Sequence, residues 1–242
     1  MNTIRSALCT TCFYTWSIVM ALVMFPMLLT PRPIFRWFVQ LWSEGNFLIF
    51  RVVVGIRVEV RGREFIPEGP AIIASKHQSE WETLIFLQLL CDPVYIMKKE
   101  LAYIPGYGQF ARKMKMIFID RAGYAKSLRE LVKAAQISIS TGRALVIFPE
   151  GTRVEPGKRL RYRPGIAALY GAIDVPVTPV VHNSGLFWPK QSFRKYAGTI
   201  VIRFLEPIEP GLERHEFMAR LENTMENAAD KLIAETRPKL EH

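Results

Sequence analysis

Beyond Gly55 the chain alternates short apolar runs, rich in β-branched residues, with longer segments of helical periodicity. Such runs are typical of buried strands, and strands that alternate with helices indicate an α/β domain. We therefore predict a mixed sheet over residues 55–242 that is largely covered by flanking helices. The predicted strands are Ile56–Val60, Ala71–Ser75, Val94–Met97, Met116–Ile119, Ala144–Phe148, Val177–Val181 and Thr199–Phe204. The predicted helices are Glu80–Leu90, Ala125–Ser140, Pro164–Tyr170 and Arg214–Thr236.

The N-terminal part of the chain is apolar enough to interact with a membrane. No charged residue occurs between Arg5 and Arg32, a stretch long enough to reach across a bilayer. Its weakly basic start and lack of a small-residue cleavage site disfavour a signal peptide. The aromatic-rich segment 34–51 is typical of a helix at a membrane interface. We predict that residues 1–54 form two membrane-anchoring helices packed into one membrane face; a transmembrane helix and a buried helical hairpin are the alternatives.

The charge and the cysteines narrow the function classes. Lys and Arg number 32 against 22 Asp and Glu, so the net charge is +10, which favours phosphate groups or anionic lipid headgroups as partners. Basic and aromatic residues do not interleave on a recognisable module, so nucleic-acid binding is not predicted. Cys9 and Cys12 have no second pair of ligands at metal-site spacing, so no metal is predicted. Three cysteines make no disulfide framework, which indicates a reducing compartment.

The segment from His77 to Glu82 is the best candidate for chemistry. Five residues rotate about 500° on an α-helix, so the two side chains could not meet if both lay within one helix. His77 must therefore precede a helix that Glu82 begins, in which case Glu82 can orient His77 as a general base. A structural interpretation is equally available, because Ser79 and Glu82 have the spacing of a capping box. Ser79 and Cys91 are formal candidates for a nucleophile, but no activating group is evident for either.

Two further strand ends carry an arginine. Arg121 follows Asp120 after one predicted strand, and Arg153 follows Gly151 after another. A guanidinium binds phosphate through paired charge-assisted hydrogen bonds, and a glycine lets backbone amides approach an anion closely. Either arginine could instead form a structural ion pair, with Asp120 or with Glu150.

Taken together, these residues resemble the glycerolipid acyltransferase family, which includes the 1-acylglycerol-3-phosphate acyltransferases. The resemblance spans about residues 77–179 in four motifs that occur in the family's order. They are His77–Glu82, which resembles its histidine, four residues and an acid, then Phe118–Arg121, Phe148–Arg153 and Val175–Val180. Residues 98–108 also resemble the segment between the family's first two motifs.

The resemblance implies transfer of a fatty acyl group from an acyl thioester to the free sn-2 hydroxyl of 1-acylglycerol-3-phosphate, giving phosphatidate. It implies His77 and Glu82 as catalytic residues and Arg121 and Arg153 as phosphate ligands. Glu150, Gly151 and Thr152 would shape that subsite, and Lys98 or a backbone amide would stabilise the oxyanion. No cofactor is implied, since acyl-CoA or acyl-carrier protein would enter as the donor substrate. Membrane lipids are expected as partners, with the active site on the cytoplasmic side of the inner membrane.

Two departures from the family pattern affect these expectations. Glu82 stands where the family usually has aspartate, and the additional methylene leaves its contact with His77 open. Lys76 stands where asparagine is frequent, and a cation beside His77 would disfavour protonation of the ring. Two alternative functions remain: an acyltransferase of the same fold that acts on another lysolipid, such as a lyso-ornithine lipid, or a monotopic membrane-surface module without catalysis. The acyl chain length and the oligomeric state cannot be read from the sequence.

Overall fold

The computed structural model describes residues 2–120 and 124–236. It contains one seven-stranded sheet with helices on both faces, as the sequence predicts. The strands are β1 (Ile56–Arg61), β2 (Ile72–Ser75), β3 (Val94–Lys98), β4 (Ile117–Ile119), β5 (Leu145–Ile147), β6 (Val177–His182) and β7 (Gly198–Phe204). The helices are α1 (Asn2–Met27), α2 (Arg32–Ile49), α3 (Glu82–Leu89), α4 (Tyr107–Lys113), α5 (Tyr124–Ser140), α6 (Pro164–Ala172), α7 (Ser184–Phe187) and α8 (Arg214–Thr236).

The sheet is mixed, which confirms the predicted fold class. Its strand order is β1-β7-β6-β2-β5-β3-β4, and the pairing of β6 with β7 is antiparallel while every other pairing is parallel. All seven predicted strands occur within two residues of their predicted bounds. Short helices between residues 99 and 113 and at 184–187 were missed, because segments this short carry little periodicity.

Alternate residues of each strand enter two separate apolar cores. Ile73 and Val146 face a core that also receives residues of α1, α2 and α3. Ile72 and Leu145 face a second core, which α5, α6 and α8 complete. Because a strand covered on both faces cannot place polar side chains in solvent, β2 and β5 are apolar throughout, and the polar chemistry is confined to the strand ends.

The predicted N-terminal helical pair is present, and it shares a core with the sheet. The helices cross at Gly45, where a Cβ atom would lie 2.4 Å from the Trp16 ring. Trp16 Nε1 donates to the Trp42 carbonyl at 2.9 Å across the same crossing. The end of α2 continues as a π-helix over Phe50–Val54 until Gly55 adopts a left-handed conformation with φ of 87°. Phe35 and Phe50 are both fully buried against the domain.

The outer surface of this helical pair remains apolar. Leu22 on α1 is 71% exposed and Leu48 on α2 is 62% exposed. Residues Thr3–Met27 are long and apolar enough to cross a membrane by length and composition. A continuous apolar surface on two adjacent helices is typical of a site that contacts lipid or another protein.

Candidate active site

The strand order brings four candidate segments to one edge of the sheet. Strands β2, β5, β3 and β4 are consecutive neighbours and all parallel, so their carboxyl ends lie side by side. His77 follows β2, Arg153 follows β5, and Lys98 is the last residue of β3. Arg121, which follows β4 in the sequence, lies outside the described residues. Ligands of open α/β sheets characteristically bind at this carboxyl edge.

His77 and Glu82 are in direct contact. The Nδ1 atom of His77 lies 2.7 Å from Oε1 of Glu82, and α3 begins at Glu82, as the helical geometry requires. The longer acid therefore reaches the histidine. The His77 ring also stacks on Phe148, the residue after β5, with ring centroids 4.2 Å apart. Its side chain is 19% exposed, whereas that of Glu82 is fully buried.

Glu82 also caps the helix that it begins. Its Oε1 accepts the backbone N–H groups of Gln78 at 2.7 Å and Ser79 at 2.8 Å, while Ser79 Oγ accepts the N–H of Trp81 at 3.1 Å. The capping box and the histidine contact thus use the same carboxylate oxygen simultaneously. The structural and the chemical interpretations of this motif are not alternatives.

These contacts determine the tautomer of His77. Burial would raise the pKa of Glu82, but attraction to His182 and hydrogen bonds from His77 and Ser79 lower it to about 2. Glu82 is therefore ionised and can only accept, so Nδ1 of His77 carries the proton in this contact. In the neutral ring, Nε2 then has the free lone pair. Among the described residues Nε2 has no hydrogen-bonding partner, and the side chain is 19% exposed.

Glu150 is buried against the backbone of His77 and does not reach the exposed side of the ring. It is 1% exposed, and its Oε2 accepts the backbone N–H of His77 at 2.8 Å. Its other oxygen, Oε1, lies 2.5 Å from Nζ of Lys76. The structure therefore gives Glu150 a position in which it holds the His77 backbone, which differs from the expected place in the phosphate subsite.

Lys76 points away from the His77 ring, contrary to the expectation from the sequence. Its Nζ lies between two carboxylates, Glu150 and Glu226 of α8, and is 2.7 Å from the latter. Burial would lower the pKa of Lys76, but these two carboxylates more than offset that effect and raise it. Because two anions neutralise its charge, Lys76 does not act on the ring as an uncompensated cation.

Arg153 lies beside the loop that carries the histidine. Its Nη1 pairs with Glu80, the exposed acid between His77 and Glu82. Val154, the next residue, donates its N–H to the His77 carbonyl at 2.7 Å and so fixes the two loops together. The expected Glu150–Arg153 pair is not the one formed. A guanidinium has five N–H donors, so the contact with Glu80 leaves donors for an anion.

The remaining predicted subsite residues lie near the same edge. Thr152 and Lys98 are exposed. Gly151 has a φ of 69°, which favours glycine, and its N–H donates to the Phe148 carbonyl at 2.9 Å. The Gly151 amide therefore closes the turn that presents Arg153.

Neither candidate nucleophile has the surroundings of one. Ser79 Oγ is buried and lies 2.7 Å from Oε2 of Glu82, to which it donates. Cys91 is exposed beyond the far end of α3, about 12 Å along that helix from Glu82.

Sequence reasoning missed the residues that support Glu82 and Lys76 from a distance. Ser184 Oγ lies 3.0 Å from Oε2 of Glu82 and 3.0 Å from Nδ1 of His182. Tyr162 donates its hydroxyl to Glu226 at 2.9 Å. The Tyr162–Glu226 and Ser184–Glu82 contacts join residues that are 64 and 102 positions apart, so no local sequence pattern could predict them.

The fold and the site define an α/β protein with a histidine–carboxylate pair at the carboxyl edge of its sheet. A family model described as "Acyltransferase" matches residues 57–183, which include this pair and Arg153. The chain is 38% identical over 208 residues to the 1-acyl-sn-glycerol-3-phosphate acyltransferase of Pseudomonas aeruginosa, covering 86% of this chain and 80% of that one. The chain therefore belongs to the acyltransferase family.

Other relatives and a solved structure agree with this assignment. The human 1-acyl-sn-glycerol-3-phosphate acyltransferase alpha is 32% identical over 166 residues, which cover 66% of this chain and 58% of the human one. The crystal structure of the 1-acyl-sn-glycerophosphate acyltransferase PlsC from Thermotoga maritima superposes with a TM-score of 0.77 at 26% identity. That match covers 97% of this chain and 98% of the Thermotoga chain.

The buried position of Glu82 predicts a dependence of stability on pH. Its pKa of about 2 in the folded protein lies below its ordinary value of 4.5, so its contribution to stability is complete above pH 4.5 and is lost as pH falls toward 2. We expect the difference in unfolding free energy between wild type and Glu82→Gln to shrink by about 2 kcal/mol from pH 5 to pH 3. Denaturant unfolding in detergent measures it. The exposed Glu206→Gln variant is the control, and a pH-independent difference for Glu82→Gln would contradict an ionised, buried Glu82.

Proposed function

We propose that this protein transfers a fatty acyl group from an acyl thioester to the sn-2 hydroxyl of 1-acyl-sn-glycerol-3-phosphate, giving phosphatidate. The observation that carries the proposal is the His77 Nδ1 contact with buried Glu82, which leaves Nε2 available, while Arg153 lies on the loop that is bonded to the His77 backbone through Val154. A base next to a phosphate-binding cation suits an acceptor that carries a hydroxyl and a phosphate. The names of the relatives support the choice of this acceptor.

In the proposed reaction, neutral His77 removes the acceptor hydroxyl proton through Nε2 as the oxygen attacks the thioester carbonyl. The tetrahedral intermediate then collapses, the carbon–sulfur bond breaks, and the imidazolium returns the proton to the departing thiolate. Glu82 fixes the tautomer and stabilises the imidazolium during the step. Lys98 or a backbone amide would stabilise the oxyanion, and acyl-CoA or acyl-carrier protein would be the donor.

Arg153 would bind the acceptor phosphate, and Glu80 would keep its guanidinium in place before the substrate arrives. Arg121 is proposed as a second phosphate ligand on the grounds of its motif alone. Thr152 and Gly151 shape the turn that presents Arg153, whereas Glu150 contributes from behind by holding the His77 backbone.

The helical pair would place this site at a membrane surface. Acceptor and product both carry long acyl chains, and the exposed apolar side chains of α1 and α2 provide a surface for one leaflet. Both helices contribute to the core that also contains Trp81, so the anchor and the site form one packed unit. We propose a cytoplasmic orientation, which an impermeant thiol reagent directed at the exposed Cys91 would test in sealed vesicles of either sidedness.

The first test removes the base. We expect His77→Ala to lower kcat/KM by about 10²–10⁴-fold, the usual contribution of general-base catalysis. The assay offers lysophosphatidate with acyl-CoA and with acyl-carrier-protein donors to protein in detergent or vesicles. His215→Ala, at an exposed position on α8, is the matched control. Undiminished transfer by His77→Ala would exclude the mechanism, and no transfer by the wild type with any lysolipid would favour the non-catalytic alternative.

The second test concerns the acceptor. Arg153→Ala should raise the KM for lysophosphatidate about 10–100-fold, because a charge-assisted hydrogen bond to phosphate is lost. Transfer to a phosphate-free lysolipid, such as a lyso-ornithine lipid, should change far less. Arg153→Lys keeps the charge without the guanidinium fork and should be intermediate. Arg220→Ala on α8 is the control; equal losses for both acceptors would refute the phosphate subsite.

The third test concerns the membrane surface. Ile18→Asp with Leu22→Asp places two charges on the exposed face of α1, and we expect vesicle binding to weaken at least about tenfold. Ile137→Asp is the matched control, since Ile137 is 61% exposed like Ile18 but lies on α5, across the sheet. Flotation with vesicles measures binding. Unchanged flotation of the double variant would show that α1 does not contact lipid.

A further inference from the structure

A second histidine lies behind the carboxylate that orients His77. His182 ends β6, the neighbour of β2, and it is fully buried. Its Nε2 lies 2.8 Å from the Lys76 carbonyl, and its Nδ1 lies 3.0 Å from Ser184 Oγ. Ser184 Oγ is in turn 3.0 Å from Oε2 of Glu82. A continuous buried path therefore joins His182 to Glu82 through one hydroxyl.

Two acceptors on this path, Nδ1 of His182 and Oε2 of Glu82, compete for the one hydroxyl proton of Ser184. A carbonyl can only accept, so Nε2 of His182 carries a proton. Burial lowers the pKa of this ring below its ordinary value of 6.5, so the ring is neutral near pH 7 and attracts Glu82 as a cation only at lower pH. Nδ1 is then an acceptor. The single proton of Ser184 is consequently shared between two acceptors, Nδ1 of His182 and Oε2 of Glu82.

Two other groups near Glu82, Ser79 and Tyr95, do not end the competition for the Ser184 proton. Ser79 gives its one proton to Glu82 at 2.7 Å, although its Oγ is also 3.0 Å from that of Ser184. Tyr95 of β3 interacts electrostatically with Glu82, but burial raises its pKa well above the ordinary value and keeps it neutral.

The charged groups on the His77 side are paired with one another. Lys76 is paired with Glu150 and Glu226 on the far side of the ring, and Glu80 with Arg153 at its exposed edge. The Ser184 hydroxyl lies 3.0 Å from Oε2 of Glu82 and 3.0 Å from Nδ1 of His182, so these two acceptors compete for its one proton.

We propose that Ser184 and His182 are positioning residues that set how much negative charge Glu82 presents to His77, and thereby the basicity of His77. This inference rests on the proposed role of His77 as the general base. When Ser184 donates to Glu82, the carboxylate is better compensated and stabilises the imidazolium of His77 less. When Ser184 donates to His182 instead, the charge on Glu82 is less compensated and the imidazolium is stabilised more.

Two substitutions are expected to act in opposite directions. Ser184→Ala removes a donor from Glu82 and should move the titration midpoint of His77 upward by about half to one pH unit. His182→Phe keeps an aromatic ring of similar shape but removes the competing acceptor, so the proton of Ser184 goes to Glu82 and the midpoint should fall. A role limited to packing would not produce opposite shifts.

The measurement is an NMR titration of histidine-labelled protein in micelles. The chain has four histidines, and the His77 signal is assigned by its loss in His77→Ala. The acid limb of kcat/KM should shift with the NMR midpoint, while the KM for the acceptor should change little. Ser140→Ala, at an exposed serine of α5, is the control.

The outcomes separate this inference from the proposed function. Shifts in the same direction for both variants, or no shift in either with the fold retained by circular dichroism, would overturn the role of Ser184 and His182. If Ser184→Ala does not fold, an upward or absent shift in His182→Phe overturns it alone. The proposed function instead fails on the transfer activity of His77→Ala, which the NMR titration does not use.

Discussion

The geometry of the site depends on a buried ion cluster at the centre of the sheet. Lys76 follows β2, Glu150 follows β5, and Glu226 belongs to α8, so their contacts tie two adjacent strand ends to the C-terminal helix. Removing three charges from water is costly, and removing one partner from such a cluster leaves an uncompensated buried charge. What the cluster provides is position, because the second oxygen of Glu150 holds the N–H of His77. The backbone of His77 is thus held in place by a contact that does not involve its side chain.

Glu82 then fixes the side chain of that residue. One carboxylate accepts two backbone amides of the helix entrance and the ring of His77, so the start of α3 and the orientation of the ring cannot change independently. An acid at this position must reach back across four residues to contact His77, which the glutamate side chain does. The same contacts that lower its pKa also neutralise much of its charge. The carboxylate therefore fixes the orientation of the histidine ring while most of its own hydrogen-bonding capacity is used by the helix entrance.

The sequence predicted the elements of the fold better than the surroundings of the site. Strand positions, the start of α3 and the His77–Glu82 contact follow from periodicity and helical geometry, which are local properties. The direction of Lys76 and the burial of Glu150 depend on Glu226, which lies 150 residues from Lys76. Likewise Arg153 pairs with Glu80 instead of Glu150, three residues before it, because Glu150 already contacts Lys76 and the His77 backbone. Local patterns state which residues occur at a strand end but not which of them turn inward.

The N-terminal helices extend this positional control from the site to the surface that we propose contacts the membrane. Ser43 of α2 donates to the Leu84 carbonyl of α3 at 3.3 Å, and Phe47 packs edge-on against Trp81, which precedes Glu82 in the sequence. Arg32 at the start of α2 is held by Asp92 at 2.6 Å, and the buried Arg143 binds the same carboxylate. Helix α2, which carries exposed apolar side chains, is therefore held against α3 and the segment that follows it by contacts near its start, middle and end. An acceptor lipid that enters from one leaflet would meet His77 at a depth set by this packing, because α2 and α3 cannot shift relative to each other without breaking the contacts that position Trp81.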